Sequence, residues 1–144
     1  MPVKRVSPEE AQELLRSQGY VYVDVRSVPE FEAGHPEGAY NVPLLHMGRQ
    51  GMSPNRDFLD VMQRRFAKDA KLVLGCRSGG RSLQAAQLLA STGFTDVVDQ
   101  RAGFEGGMGP AGFEPGWAPK GLPTASGAPQ ARSYDALSKK DDAT

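Results

Sequence analysis

The run Lys71-Leu72-Val73-Leu74-Gly75 leads directly into Cys76-Arg77-Ser78-Gly79-Gly80-Arg81-Ser82, and apolar residues at helical spacing, Leu83, Ala86 and Leu89, follow. A short apolar run before such a loop reads as a strand, and the pattern behind it as a helix over 81–92 that Gly93 stops. The segment between them is a strand-to-helix turn. Such turns belong to chains in which strands alternate with helices, and that alternation implies parallel strands with helices on both faces of the sheet.

Other parts of the chain repeat the alternation. Ser7-Pro8-Glu9-Glu10 is a helix start, with Ser7 as N-cap, Pro8 at the first helical position and Glu10 placed to close a capping box. Ala11, Leu14 and Leu15 form its apolar stripe, and Gly19 ends it. Tyr20-Val21-Tyr22-Val23-Asp24-Val25 suits a buried strand, and Tyr40 to Pro43 and Val97-Val98 are shorter extended pieces. Phe58, Leu59, Met62 and Phe66 recur at helical spacing. The sequence predicts an α/β domain over 1–122.

Composition bounds the function. With 39% hydrophobic and 24% charged residues the chain reads as one soluble globular domain of 144 residues. Lys plus Arg and Asp plus Glu number 17 each, so no bulk field draws it to nucleic acid or to an anionic membrane. One cysteine and two histidines, His35 and His46, exclude an internal disulfide and argue against a structural zinc site; no metal is expected. No apolar signal core precedes Glu9 and Glu10, so a cytoplasmic location is expected. Glycine and proline, 17 and 11 residues, exceed the usual share of about 12%, and 13 of them fall between Gly103 and Pro129. Beyond Pro123 only Tyr134 and Leu137 are bulky and apolar, which predicts a disordered tail over 123–144 with at most a transient turn at Tyr134 to Lys140.

Ligands in such sheets bind beyond the carboxyl ends of the strands, which is where Cys76 falls. Gly79 and Gly80 permit a tight loop whose N–H groups point inward and form an anion nest at a helix N-terminus. A lone cysteine after an apolar strand is most often a buried small hydrophobe. Two arginines, two glycines and two serines within six residues make a poor apolar wall and a good anion receptor, so Cys76 is expected to be a nucleophilic thiolate. On this reading Gly79 and Gly80 alone, of all the glycines, serve the chemistry.

The loop Cys76 to Ser82 resembles the active-site loop of the rhodanese family. Asp24-Val25-Arg26, followed by Glu30-Phe31-Glu32-Ala33-Gly34-His35-Pro36-Glu37-Gly38-Ala39-Tyr40-Asn41-Val42-Pro43, resembles that family's N-terminal signature. The likeness runs from about Val3 to Leu122. It implies a small doubly wound domain around a five-stranded parallel sheet, and a thiosulfate sulfurtransferase that works through a persulfide at Cys76 with no separate cofactor. Substrate would be held by Arg77, Ser78, Gly79, Gly80, Arg81 and Ser82. Arg77 is assigned to the thiosulfate dianion, and Arg81 is divided between substrate and bracing against Asp24 or Glu30. The hydroxyls of Ser78 and Ser82 can donate to sulfur, though Ser82 could equally cap the helix. Asp24, Arg26 and Glu30 are read as structural support, and His35 as a turn brace, while His46 is expected to be exposed. Phe104, Phe113 and Trp117 wall the pocket or form an apolar lid, and the likeness implies a short helix at Ala102 to Met108. Partners are small sulfur donors and thiophilic acceptors, with a protein acceptor as a further possibility, and the chain is expected to be a monomer.

Three alternatives stand beside this reading, and sequence features discriminate the first two. Cysteine phosphatases that share this fold resemble a loop of cysteine, five residues and arginine; here Arg81 is already the fifth residue after Cys76, and Gly75 stands where they generally carry histidine. Rhodanese-like binding modules lack the cysteine. A carrier delivering persulfide sulfur to a protein partner shares the chemistry and differs only in its acceptor.

Overall fold

Five parallel strands form the sheet of the computed structural model, which describes residues 3–139. In chain order the elements are β1 (Lys4–Val6), α1 (Pro8–Ser17), β2 (Val21–Asp24), α2 (Val28–Ala33), β3 (His35–Pro36), β4 (Tyr40–Asn41), β5 (Leu45–Gly48), β6 (Gly51–Pro54), α3 (Phe58–Arg65), β7 (Leu72–Gly75), α4 (Gly80–Ser91), β8 (Val97–Gln100), β9 (Gly106–Gly109), β10 (Gly112–Pro115), β11 (Thr124–Ala125) and α5 (Tyr134–Ser138). The strand order is β1-β8-β7-β2-β4, which makes this the doubly wound α/β architecture with β7 at its centre. That position explains why β7 is apolar at every residue before Gly75: a central strand of a parallel sheet is covered on both faces.

The two-residue alternation of strand side chains sorts the core into two layers. Val23, Leu72 and Leu74 point to one face and pack with Phe58, Val61 and Met62 of α3 and Ala85, Ala86 and Leu89 of α4. Tyr22, Val73 and Val98 point to the other and pack with Ala11 of α1, Phe31 of α2 and Trp117. Helix α1 starts as its sequence predicts: the Glu10 amide donates to Ser7 Oγ at 3.1 Å, and Glu10 Oε1 accepts from the Ser7 amide at 2.8 Å. Among the described residues, no helix is long and apolar enough to cross a membrane.

Three expectations are corrected. The stretch Ala102 to Met108 is not a helix but a turn leading into the antiparallel hairpin of β9 and β10, paired from Gly106↔Pro115 to Gly109↔Gly112. Gly106 and Gly112 adopt φ +140° and +110°, outside the helical region, and Pro110 falls in the connecting turn. His46 is half-buried in β5, its ring 5.6 Å from that of Tyr134.

The third correction concerns the tail, which packs on the domain as far as it is described; residues 140–144 lie outside the described residues. The Pro123 carbonyl accepts from Trp117 Nε1 at 2.7 Å, and β11 pairs with β3. The Asn41 amide of edge strand β4 donates to the Arg132 carbonyl at 2.9 Å, so the returning chain takes up part of the open edge. α5 then buries Leu137 against the α3 face, and Arg65 Nε donates to its carbonyl at 2.8 Å. Two apolar groups suffice because the helix occupies a seat that α3 and β4 have already built. Leu137→Ala is expected to destabilise the fold by about 2 kcal/mol, read as a lower urea midpoint at unchanged slope; a midpoint equal to wild type would show that α5 contributes nothing.

Candidate active site

The site begins where β7 runs out. Gly75 is the last strand residue, and neighbouring β2 explains the missing side chain: a Cβ there would stand 1.7 Å from the Tyr22 hydroxyl. Cys76 follows with only 2% of its surface exposed. The chain then passes through exposed Arg77 and Ser78 and reverses at Gly79, φ +104°, where a Cβ would also lie 2.2 Å from the Arg101 carbonyl oxygen. The reversal brings two amides onto one atom. Gly79 N–H donates to Cys76 Sγ at 3.1 Å and Ser82 N–H at 3.3 Å, while the thiol donates to Ser82 Oγ at 3.5 Å. The positive end of the 12-residue α4 faces the same sulfur. Ser78, expected to reach the sulfur through its hydroxyl, makes no hydrogen bond to it.

The glycine pair divides on inspection. Gly79 holds a left-handed conformation, whereas Gly80 begins α4 with open space around it. Conversely, glycines outside the loop hold it in place. Phe104 N–H donates to the Cys76 carbonyl at 2.7 Å and Glu105 N–H to the Arg77 carbonyl at 3.0 Å. This close approach requires Gly103 and Gly107, where a Cβ would fall 2.4 Å from the Arg77 oxygen and 2.2 Å from the Ser78 oxygen. The expectation that Gly79 and Gly80 alone serve the site is corrected accordingly: part of the regional glycine surplus clamps the loop.

The arginines separate by position. Arg81 forks onto Glu30 of α2, Nη1 to Oε1 at 2.8 Å and Nη2 to Oε2 at 3.0 Å, so its guanidinium braces the loop. Burial pushes the Glu30 carboxyl up, but Arg81 and the hydroxyl and amide of Ser27 outweigh it and bring it down to about 2. Arg77 stands at the surface, its Nε 3.1 Å from Glu105. Asp24 and Arg26 form a buried pair at 2.6 Å; Arg26 also donates to the Gly34 carbonyl and lies 4.4 Å over the Phe104 ring. Asn41 Nδ2 of the side chain donates to the carbonyls of Asp24 and Arg26, both at 3.0 Å. His35 is stacked on Phe31 and bonded through Nδ1 to its carbonyl. Trp117 is buried as part of the apolar cover, whereas Phe113 is 69% exposed.

Four neighbours of the site were not legible as such in the sequence: Arg5, Tyr22, Asp99 and Gln100. Asp99 receives the Ser82 hydroxyl and the Arg5 guanidinium. Gln100 accepts from the amides of Ala102 and Gly103 at 2.8 and 3.0 Å, which shapes the turn that clamps the loop. The available signal was the pair Asp99-Gln100 extending an apolar strand at its carboxyl end, where polar residues are buried only for a partner.

These features define an α/β domain built around one cradled thiol at the carboxyl edge of its sheet. The chain belongs to the family of rhodanese-like domains, whose family model matches residues 7–108. It is 41% identical over 119 residues to thiosulfate sulfurtransferase 16, chloroplastic, of Arabidopsis thaliana, covering 83% of this chain and 90% of that protein. It is 39% identical over 102 residues to thiosulfate sulfurtransferase GlpE of Pseudomonas fluorescens (strain SBW25), covering 71% and 82%. Against some other plant relatives it spans 51% of their length. Among solved structures, Rv0390 from M. tuberculosis matches with a TM-score of 0.72 at 28% identity, covering 88% of this chain and all of that one.

Two measurements check this geometry. Gly79→Ala is expected to destabilise the fold by more than about 1 kcal/mol, and Gly80→Ala to be neutral or stabilising; equal effects in urea denaturation would contradict the division of the pair. Because folding lowers the Glu30 value from 4.5 to about 2, its contribution is complete above about pH 4.5 and is lost as pH falls toward 2. Wild type should lose stability across that window more steeply than Glu30→Gln, and parallel acid titrations would contradict the assignment.

Proposed function

We propose that the chain is a sulfurtransferase that takes the outer sulfur of thiosulfate, or of a similar sulfane donor, onto Cys76 as a persulfide and passes it to cyanide, a thiol or a protein acceptor. The observation that carries this reading is the convergence of the Gly79 and Ser82 amides on Cys76 Sγ. Two relatives, each named as a thiosulfate sulfurtransferase, support the donor.

In the first half-reaction the Cys76 thiolate attacks the outer sulfur of thiosulfate. The S–S bond of the donor breaks, its electron pair leaves with sulfite, and Cys76 keeps one added sulfur. The persulfide is itself an anion, so the amides that favour the thiolate also favour the intermediate. In the second half-reaction the acceptor attacks the outer persulfide sulfur and Cys76 leaves as thiolate. Arg77 is the cation free to exchange a surface partner, Glu105, for an incoming dianion, whereas Arg81 stays with Glu30. The cycle calls on the covalent persulfide and on no separate cofactor, and a monomer in the cytoplasm is part of the same reading.

Incubation with thiosulfate should add one sulfur atom to the intact protein by mass spectrometry, and Cys76→Ser should abolish the gain. A wild-type chain that takes up no sulfur but hydrolyses an aryl phosphate through Cys76 would overturn the reading in favour of a phosphatase.

A further inference from the structure

The mechanism above draws on the amides around Cys76 and leaves a buried acid beside them unused. Asp99, on β8, has no exposed surface. Its Oδ1 accepts the hydroxyl of Ser82, and its Oδ2 accepts Arg5 Nε from β1 at 2.8 Å. Ser82 Oγ is the same atom that accepts from Cys76 Sγ at 3.5 Å. An unbroken line of hydrogen bonds thus runs from the thiol through one hydroxyl to a carboxylate.

The serine has one proton to give. While that proton is given to Asp99, Ser82 can only receive from the thiol. It comes to donate to an anionic sulfur either by turning its O–H away from Asp99 or by taking up the thiol proton as it gives its own to Asp99, and the second route keeps the bond to the carboxylate in place. We propose that Asp99 is a positioning residue which, through Ser82, takes up the proton that Cys76 loses on becoming a nucleophile, an inference that rests on the sulfur-carrying role of Cys76. The S–H bond breaks and its electron pair stays on sulfur. The proton goes to Ser82 Oγ, whose own proton passes to Asp99 Oδ1. Nothing is oxidised or reduced, and one negative charge moves from the carboxylate to the sulfur.

Electrostatics supports the exchange. Two anions separated by one hydroxyl in a buried site repel strongly, so a single charge that alternates between them is the lower-energy arrangement. The groups facing Asp99 are Arg5 from β1, Ser82 from α4 and, across the sheet, the apolar Leu74 of β7. Burial pushes the Asp99 carboxyl up, against the opposing pull of the Ser82 hydroxyl and Arg5, which suits a group that has to hold a proton. Arg5 also lies against the loop: a Cβ on Gly79 would approach its Nη2 to 3.1 Å.

The test follows thiosulfate loading of the full chain by intact mass and by infrared difference spectroscopy together. Wild type should gain one sulfur and, in step with it, a protonated-carboxyl C=O band that shifts in D2O. Asp99→Asn should lack the band and form persulfide about 10²-fold more slowly, with an unchanged KM for thiosulfate. Ser82→Ala leaves the Arg5–Asp99 pair in place and should behave in the same way, and Ser82→Thr should restore band and rate; this pair decides the question even where Asp99→Asn does not fold. Sulfur uptake without the band, or charging of both Asp99→Asn and Ser82→Ala at the wild-type rate, overturns the relay. A wild-type chain whose mass never rises overturns the parent reading of Cys76, and the relay with it.

Discussion

For two amides to reach one sulfur from the same side, the chain between them has to reverse its hand, and at Gly79 it does so at φ +104°. Much of the site answers to that reversal. It places Gly79 N–H and Ser82 N–H on Cys76 Sγ, and it brings the Gly79 backbone so close to the Arg101 carbonyl that no side chain fits between them. A loop in that conformation does not hold itself. The segment after β8 lies across it, with amides of Phe104 and Glu105 on the carbonyls of Cys76 and Arg77, and glycine at 103 and 107 where the backbones meet. The cradle is the product of two glycine-containing segments pressed together.

The charged residues of the signature Asp24 to Pro43 fix where this cradle sits relative to the rest of the sheet. Glu30 on α2 takes both forks of Arg81 at the start of α4, which ties helices on opposite faces of the sheet across its carboxyl edge. Asp24 and Arg26 form a second pair, buried, with each of its remaining contacts satisfied: Arg26 by the Gly34 carbonyl and the Phe104 ring, the Asp24 backbone by Asn41. A buried ion pair is weak evidence for stability, because desolvation opposes its attraction. Its effect here is positional, since Phe104 is also the residue whose amide holds the Cys76 carbonyl.

Periodicity and capping made the large elements legible: β7 from its unbroken apolar run, α1 from Ser7 and Glu10, and Cys76 from its place between β7 and α4. Contacts between segments distant in sequence were not. Ser27-Val28-Pro29-Glu30 carries the same start signal as Ser7-Pro8-Glu9-Glu10, yet α2 spans only 6 residues and gives no helical period to read. Gly103 and Gly107 look like flexible turn residues until the Arg77 and Ser78 carbonyls are found against them. The tail looks too polar to order because its apolar residues are two; what orders it is a prepared seat, with the amide of edge residue Asn41 and the side chain of Arg65 both in want of carbonyls. For the glycines and the tail the deciding partner lies tens of residues away, where local propensity carries no information.

The same geometry bears on which anion the cradle suits. A phosphate ester presents several oxygens and is held by a ring of amides closed by an inward guanidinium. Here the arginine at the end of the loop is turned onto Glu30, whose carboxyl Arg81 and Ser27 bring down to about 2. What remains facing inward is two amides that donate to Cys76 Sγ and the Ser82 oxygen that accepts from it, around an atom with 2% exposure. A loop one residue shorter than the phosphatase pattern is thus matched by an arginine already committed elsewhere, and both features favour sulfur over phosphate.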